Sequence, residues 1–341
     1  MKQRDAREIK RFAKRILRKG ISGFTGLRML YAGRRFADRG LAVYLRLREK
    51  YGENARFYVN HYPGTGDIYL TSMFMPAWAK RHPDERAVVT VIGKGGEKVA
   101  KLFPLQDVEV LSQQDTKALI RFYELCGDQM DIHVEILHYH AMAMNSGILE
   151  RFAGYKGLDF LSIYLGVVFP GLTPADAAKP AFSENDPAID ALFDRYGLQR
   201  RKTVLLVPYA NTIDEMSDQF WTYLVAALKE KGYSVCTNVS GDEEPLPGTE
   251  GVFVPYRGLR QFLETAGVTI QLRCGLTDMI AGFDCKKIIL YPVDNFFQFG
   301  TGSLYDYFSL KNMDLSQDAV EIEFSRWKGE RLVYERILEA L

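Results

Sequence analysis

The fold of this chain is decided by residues 268–292, VTIQLRCGLTDMIAGFDCKKIILYP. A β-branched run from Val268 meets a tight turn at Gly275, a helix opens at Leu276, and a second apolar run starts at Ile288. Strand, turn, helix and strand in this order form the half-unit of a parallel sheet. The stretch therefore predicts an α/β protein.

The same turn is a candidate phosphate site. Gly275 lets the backbone turn sharply, and the first amides of the helix have no partner inside it. Free N–H groups and the helix dipole suit a phosphate, and Arg273 would add a charge-assisted clamp. The alternative is an ordinary strand-to-helix turn in which Asp278 stabilises the first turn of the helix.

The strand and helix alternation recurs on both sides of a Pro-rich stretch at 169–190, which we interpret as the interdomain connection. Beyond it, a strand is expected at Thr203–Val207 and a helix at Leu259–Ala266. Residues 93–96, Gly-Lys-Gly-Gly, are expected to form a turn and do not fit a Walker A loop. The pattern predicts two Rossmann-like domains that face a cleft. The predicted segments are a basic helical region at 1–52, an N-terminal domain at 53–185, a C-terminal domain at 198–310, and a C-terminal strand and helix at 311–341.

Charge is distributed unevenly along the 341 residues. Residues 1–50 hold 16 of the 44 basic residues and 4 of the 43 acidic ones. Ile9, Phe12 and Ile16 share one face of a basic helix there, which is typical of helices on anionic membranes. The alternative is a helix docked on its own domain. No secretory signal or membrane-spanning run is recognisable, and no nucleic-acid partner is expected, so we expect a cytoplasmic protein, peripheral on the inner face of the membrane if residues 1–20 bind lipid.

A second candidate site is Gly64-Thr65-Gly66-Asp67, which follows the strand-like run at 56–61. Open α/β sheets bind ligands at the carboxyl ends of their strands. Asp67 is a candidate general base there, with Thr65 and Gly66 shaping the entry of an acceptor. The alternative is that Asp67 only caps a helix.

A third candidate is the loop at 208–212, which follows a buried strand. Asn211 and Thr212 would bind a diphosphate or a sugar there, unless the loop only caps the next helix. The spacing of the histidines, among them His133 and His138, matches no common zinc motif, so no metal is expected.

Two of these segments together resemble the heptosyltransferase-type glycosyltransferases of bacterial surface polysaccharide synthesis. Gly66-Asp67-Ile68-Tyr69-Leu70-Thr71 is similar to the family's glycine–Asp motif, whose aspartate deprotonates the acceptor. Residues 274–281, CGLTDMIA, resemble its Asp-Ser-Gly-Leu-Met-His-Leu-Ala box, which meets the donor's phosphates. Residues 208–221 stand where the family has its donor loop, but the loop's lysine is missing near Trp221, and Arg273 replaces the box aspartate.

The resemblance implies a GT-B fold whose last helix returns to the first domain. It implies transfer of a sugar from a nucleotide-diphosphate sugar to a bacterial surface glycan or lipid-linked acceptor, with Asp67 as base, inversion at the anomeric carbon, and neither metal nor cofactor. The donor would be held by Asn211, Thr212, Arg273, Gly275, Leu276, Thr277 and Asp278. The alternatives are a sugar-nucleotide epimerase of the same fold and a non-catalytic nucleotide-sugar-binding protein.

Overall fold

The computed structural model describes residues 23–126, 131–137, 159–210, 213, 216–293, 303–325 and 329–341. The basic segment 1–20 and the candidate residues Asn211 and Thr212 lie outside this part of the chain. The predictions made for them therefore stay predictions.

Helices and strands alternate along the chain in the order α1 (Gly23–Tyr51), β1 (Ala55–Asn60), α2 (Thr65–Arg81), β2 (Arg86–Ile92), α3 (Gly93–Ala100), β3 (Asp107–Leu111), α4 (Gln113–Cys126), β4 (Val134–Leu137), α5 (Phe160–Ile163), α6 (Pro187–Tyr196), β5 (Thr203–Val207), α7 (Asp218–Glu230), β6 (Ser234–Asn238), β7 (Glu250–Val252), α8 (Leu259–Ala266), β8 (Gly267–Leu272), α9 (Gly275–Ile280), β9 (Lys286–Pro292), α10 (Leu304–Phe308), β10 (Val320–Phe324) and α11 (Arg331–Ala340). A π-helix, Tyr164–Val168, directly continues α5. By their contacts, these elements divide into two compact units.

The first unit comprises residues 1–63, 82–97 and 106–137. Its parallel sheet has the strand order β3-β2-β1-β4. Helices α1 and α4 pack closely, because Gly40 in α1 has no side chain and its backbone can approach the backbone of Ala118 in α4. Tyr44 lies edge-on to Phe57 at 6.0 Å and also contacts Phe122, so aromatic rings fill the core beside β1.

The second unit comprises residues 64–81, 98–105 and 138–341, so α2 belongs to it although β1, which precedes α2 in the chain, does not. Its sheet has the order β10-β9-β8-β5-β6-β7, and each of these neighbouring strand pairs is parallel. All five residues of β5 are buried, as expected for a strand covered on both faces. The predicted α/β class with parallel sheets is confirmed.

The local predictions succeed where the apolar pattern is strong. The expected strand Thr203–Val207 and helix Leu259–Ala266 have the predicted bounds. The turn expected at 93–96 is wrong, because Gly93, with φ of 70°, begins α3 directly after β2. Helix α11 packs against β10. Its return to the first domain, like the four predicted segment ranges, stays a prediction.

Candidate functional site

The two candidate motifs meet at the starts of two helices of the second unit. Helix α2 begins at Thr65, helix α9 begins at Gly275, and the two helices pack against each other. A Cβ on Gly275 would clash with the backbone nitrogen of Gly66 and would lie 2.8 Å from the Cβ of Thr65. A Cβ on Gly66 would in turn clash with the carboxylate of Asp278. Each glycine therefore permits a backbone approach that a larger residue would block.

Asp67 lies in the first turn of α2, two residues beyond the residue at which the helix begins. It is therefore not the N-cap that the alternative reading expected. Its side chain is partly buried, and its Oδ1 accepts a 2.9 Å hydrogen bond from the hydroxyl of Tyr164. Its Oδ2 lies beside Gly64, where a Cβ would come within 2.6 Å of it. One oxygen of the carboxylate is thus fixed by a protein donor, and the other lies over a residue without a side chain.

Arg273 and Asp278 form a buried ion pair next to this carboxylate. The exposed fractions of the two residues are 6% and 3%, and Nη2 of Arg273 is 2.6 Å from Oδ1 of Asp278. Arg273 also donates from Nε to the carbonyl of Phe308 at 3.1 Å and from Nη1 to the carbonyl of Cys274. Its guanidinium lies 5.3 Å from the centre of the Phe308 ring. The structure therefore surrounds Arg273 with protein partners, and direct contact with a phosphate stays a prediction.

The charges of this cluster change the acidity of Asp67. Burial, and to a smaller extent the negative charge of Asp278, raise the pKa of Asp67 from 3.8 to about 6, while the Tyr164 hydrogen bond and Arg273 oppose the shift. Burial also raises the pKa of Asp278, although Arg273 opposes that shift. A carboxyl with a pKa of about 6 is suited to exchanging protons near neutral pH.

The start of α9 is capped from within. Cys274 is its N-cap, the amide of Thr277 donates to the carbonyl of Cys274 at 3.0 Å, and the hydroxyl of Thr277 accepts from the amide of Cys274 at 3.2 Å. Thr277 is fully buried, whereas Gly275 and Leu276 are partly exposed. Of the predicted donor-binding residues of this box, Gly275 and Leu276 are the ones that solvent reaches most readily.

Thr65 is the first residue of α2 and lies across from the start of α9. Its hydroxyl is 3.4 Å from the hydroxyl of Tyr256, which belongs to a short 3-10 helix before α8. The structure thus brings Thr65, Gly66, Asp67, Arg273, Gly275 and Asp278 into one cluster within the second unit. The roles predicted for these residues stay predictions.

Two contributors escaped the sequence analysis. Tyr164 is 97 residues from Asp67 in the chain, and Phe308 is 35 residues from Arg273. Neither belongs to a short motif, so no local signal identifies them. The only sequence feature near Tyr164 is Asp159, which accepts from the amide of Ser162 and caps the helix that leads to it.

A cavity of about 690 Å³ lies elsewhere in the second unit, between α7 and α11, lined by Tyr223, Glu230, Glu330 and Tyr334 among others. None of its lining residues is a candidate site residue. Among the residues that the structure describes, no three His, Cys, Asp or Glu side chains are grouped to hold a metal ion. No described helix is both long and apolar enough to cross a bilayer.

No family model and no curated protein matches this sequence. Among solved structures, the chain is similar to the ADP-heptose LPS heptosyltransferase II of E. coli, with 13% identity and a TM-score of 0.53 over 84% of this chain and 97% of the other. It is also similar to a family 9 glycosyl transferase from Veillonella parvula, with 12% identity and a TM-score of 0.51 over 84% and 95% of the two chains. At such low identities the likeness concerns the fold. The predicted fold of the heptosyltransferase type is confirmed.

Proposed function

We propose that this chain is a glycosyltransferase that moves a sugar from a nucleotide-diphosphate sugar to a bacterial surface glycan or lipid-linked acceptor. The shared fold supports this class, because both similar structures carry glycosyltransferase names and one is named for ADP-heptose. Since the box and donor loop of this chain differ from the family pattern, we leave the sugar and the nucleotide open.

The observation that carries the proposal is the state of Asp67. Its carboxyl lies in the first turn of α2, against the start of α9, with a pKa of about 6. A general base works best when its pKa is near the working pH, because it is then ionised and still basic enough to take a proton. Asp67 meets this condition and is partly exposed.

In the proposed reaction Asp67 takes the proton of the acceptor hydroxyl as its oxygen attacks the anomeric carbon. The bond between that carbon and the diphosphate breaks, and the diphosphate leaves with the electron pair. Direct attack on the side opposite the leaving group inverts the anomeric centre. Thr65, which is partly exposed, would border the acceptor entry, whereas the buried Gly66 would keep α2 against the start of α9.

The donor diphosphate would lie at the start of α9, against Gly275 and Leu276. Arg273 would offset its charge without a metal ion, while the buried Thr277 and Asp278 would hold the turn in place. Asn211 and Thr212 would complete the donor site.

A membrane-linked acceptor would suit the basic segment. Residues 1–20 are rich in Lys and Arg, and anionic headgroups attract such segments. We therefore propose a cytoplasmic enzyme that binds the inner face of the membrane through this segment.

The test begins with a thermal-shift screen of nucleotide sugars to find a donor. With that donor, Asp67→Asn is expected to lower sugar transfer by roughly 10²–10⁴-fold, because the amide cannot accept the proton. Donor affinity, measured by calorimetry, is expected to be at least that of the wild type, because the substitution removes a negative charge beside the start of α9. The control is Asp242→Asn, at an exposed position in the loop after β6, which should leave transfer unchanged.

Three other outcomes would contradict parts of this proposal. Full turnover of Asp67→Asn would move the search for a base to His61, Glu135 and His138. Return of an epimerised nucleotide sugar without transfer would identify an epimerase. Donor binding with no chemistry, across a panel of acceptors, would identify a binding protein.

A further inference from the structure

Tyr164 occupies an unusual position in the backbone. It is the first residue of the π-helix Tyr164–Val168, at the end of α5. π-helical turns are rare and occur frequently at functional sites. The ring of Tyr164 is 1% exposed and packs edge-on against Phe160 at 4.9 Å. Its orientation is therefore fixed by packing.

The hydroxyl of Tyr164 points at Asp67. It donates to Oδ1 at 2.9 Å, a short bond of the kind made to a charged acceptor. A buried hydroxyl without a partner is costly, so this bond also stabilises the placement of Tyr164. Oδ2 of the same carboxylate lies beside Gly64, so close that a Cβ there would come within 2.6 Å of it.

We propose that Tyr164 is a positioning residue for Asp67. Its hydroxyl holds Oδ1 and so makes Oδ2 the oxygen that takes the acceptor's proton. This inference rests on the proposed function, in which Asp67 is the base. In the balanced step, the acceptor's O–H bond breaks and its proton moves to Oδ2. The acceptor oxygen then bonds to the anomeric carbon, and the diphosphate leaves with the electrons of the broken bond.

The charged surroundings of Asp67 explain why such a donor is useful. Asp278 in α9 faces it with a negative charge, and Arg273 at the end of β8 faces it with a positive charge that is already paired to Asp278. The Tyr164 hydroxyl is the neutral donor from the π-helix. It stabilises the ionised form of Asp67 and thereby counteracts burial and Asp278.

The test is a carbon-13 NMR titration of the unliganded protein with labelled aspartate carboxyls, in which Asp67→Asn identifies the Asp67 resonance. Tyr164→Phe keeps the ring and removes the hydroxyl. We expect it to move the Asp67 midpoint upward by roughly one pH unit. The matched control is Tyr69→Phe, another buried tyrosine two residues from Asp67, which should leave the midpoint in place. An unchanged midpoint in folded Tyr164→Phe overturns the inference.

A second measurement tests the same hydrogen bond without the Tyr164→Phe variant. In wild-type protein labelled at the tyrosine ring carbon that bears the hydroxyl, one resonance should titrate with the midpoint of Asp67. The same titration should disappear in Asp67→Asn. If no tyrosine resonance titrates with the midpoint of Asp67, the inference is overturned.

The two proposals fail separately. If Asp67→Asn retains turnover, the base role is lost even where Tyr164→Phe shifts the midpoint, and the positioning of a catalytic base is lost with it. If Asp67→Asn abolishes turnover but Tyr164→Phe changes neither the midpoint nor the pH profile of transfer, only the positioning role is lost.

Discussion

The contact between the starts of α2 and α9 gives a prediction that needs no substrate. Gly275 lies so close to α2 that a Cβ there would clash with the nitrogen of Gly66 and lie 2.8 Å from the Cβ and 3.0 Å from the carbonyl carbon of Thr65. Two of these three atoms belong to the backbone of a helix, so they cannot rotate away. Gly275→Ala is therefore expected to push α2 and α9 apart.

The magnitude follows from overpacking. Inserting one methyl group into a packed contact that has to move costs about 1–3 kcal/mol. Gly275 does not have a positive φ, so backbone conformation does not exclude alanine there. The destabilisation then comes from overpacking between α2 and α9. The lower entropy of the unfolded alanine variant offsets at most about 1 kcal/mol of it.

The assay is thermal unfolding followed by circular dichroism. The matched control is Gly282→Ala, in the turn that follows α9, where a Cβ would meet nothing within 4 Å. We expect Gly275→Ala to melt several degrees below the wild type and Gly282→Ala to melt at or slightly above it. If the two variants melt together, the close approach of the two helix starts is refuted.

This prediction also bears on how ligand binding would be tested at Gly275. A bulky replacement such as Gly275→Val would disturb the contact with α2 as well as any phosphate site. Loss of nucleotide binding in that variant is informative only beside its measured stability.

Two further predictions concern charge. Because burial raises the pKa of Asp67 from 3.8 to about 6, the folded protein binds more protons than the unfolded chain between these values, and its stability falls as pH rises from about 4 to about 6. The raised pKa corresponds to at most about 3 kcal/mol of lost stability, and to less than that because Asp67 is partly exposed. Asp67→Asn should therefore melt above the wild type at pH 7.5 and close to it at pH 4. An equal difference in melting temperature at the two pH values would contradict the raised pKa. For residues 1–20, liposome sedimentation should depend on anionic lipid and weaken with salt, since each basic residue near the surface adds about 1 kcal/mol and exposed charges are screened. Equal sedimentation with neutral and anionic vesicles would instead favour docking on the protein itself.

The sequence by itself determined the elements and the class of fold. Buried parallel strands such as Thr203–Val207 are continuous apolar runs, and the 3.6-residue period identifies Leu259–Ala266 as a helix. Glycines next to polar residues identified the starts of α2 and α9 as candidate sites. These signals are local, because each depends on neighbours within a turn or a strand.

Only the tertiary structure decided what those sites contain. The sequence predicted Asp67 as a base or a helix cap, and the fold placed it past the cap, beside Asp278 and under the hydroxyl of Tyr164. Arg273 looked like a free cation, and the fold supplied it with Asp278 and the carbonyl of Phe308 as partners. Such contacts join residues that are far apart in the chain, and they depend on strand order and helix packing, which no local pattern encodes. The pKa of Asp67 depends on them for the same reason, since burial and neighbouring charges are properties of the folded chain.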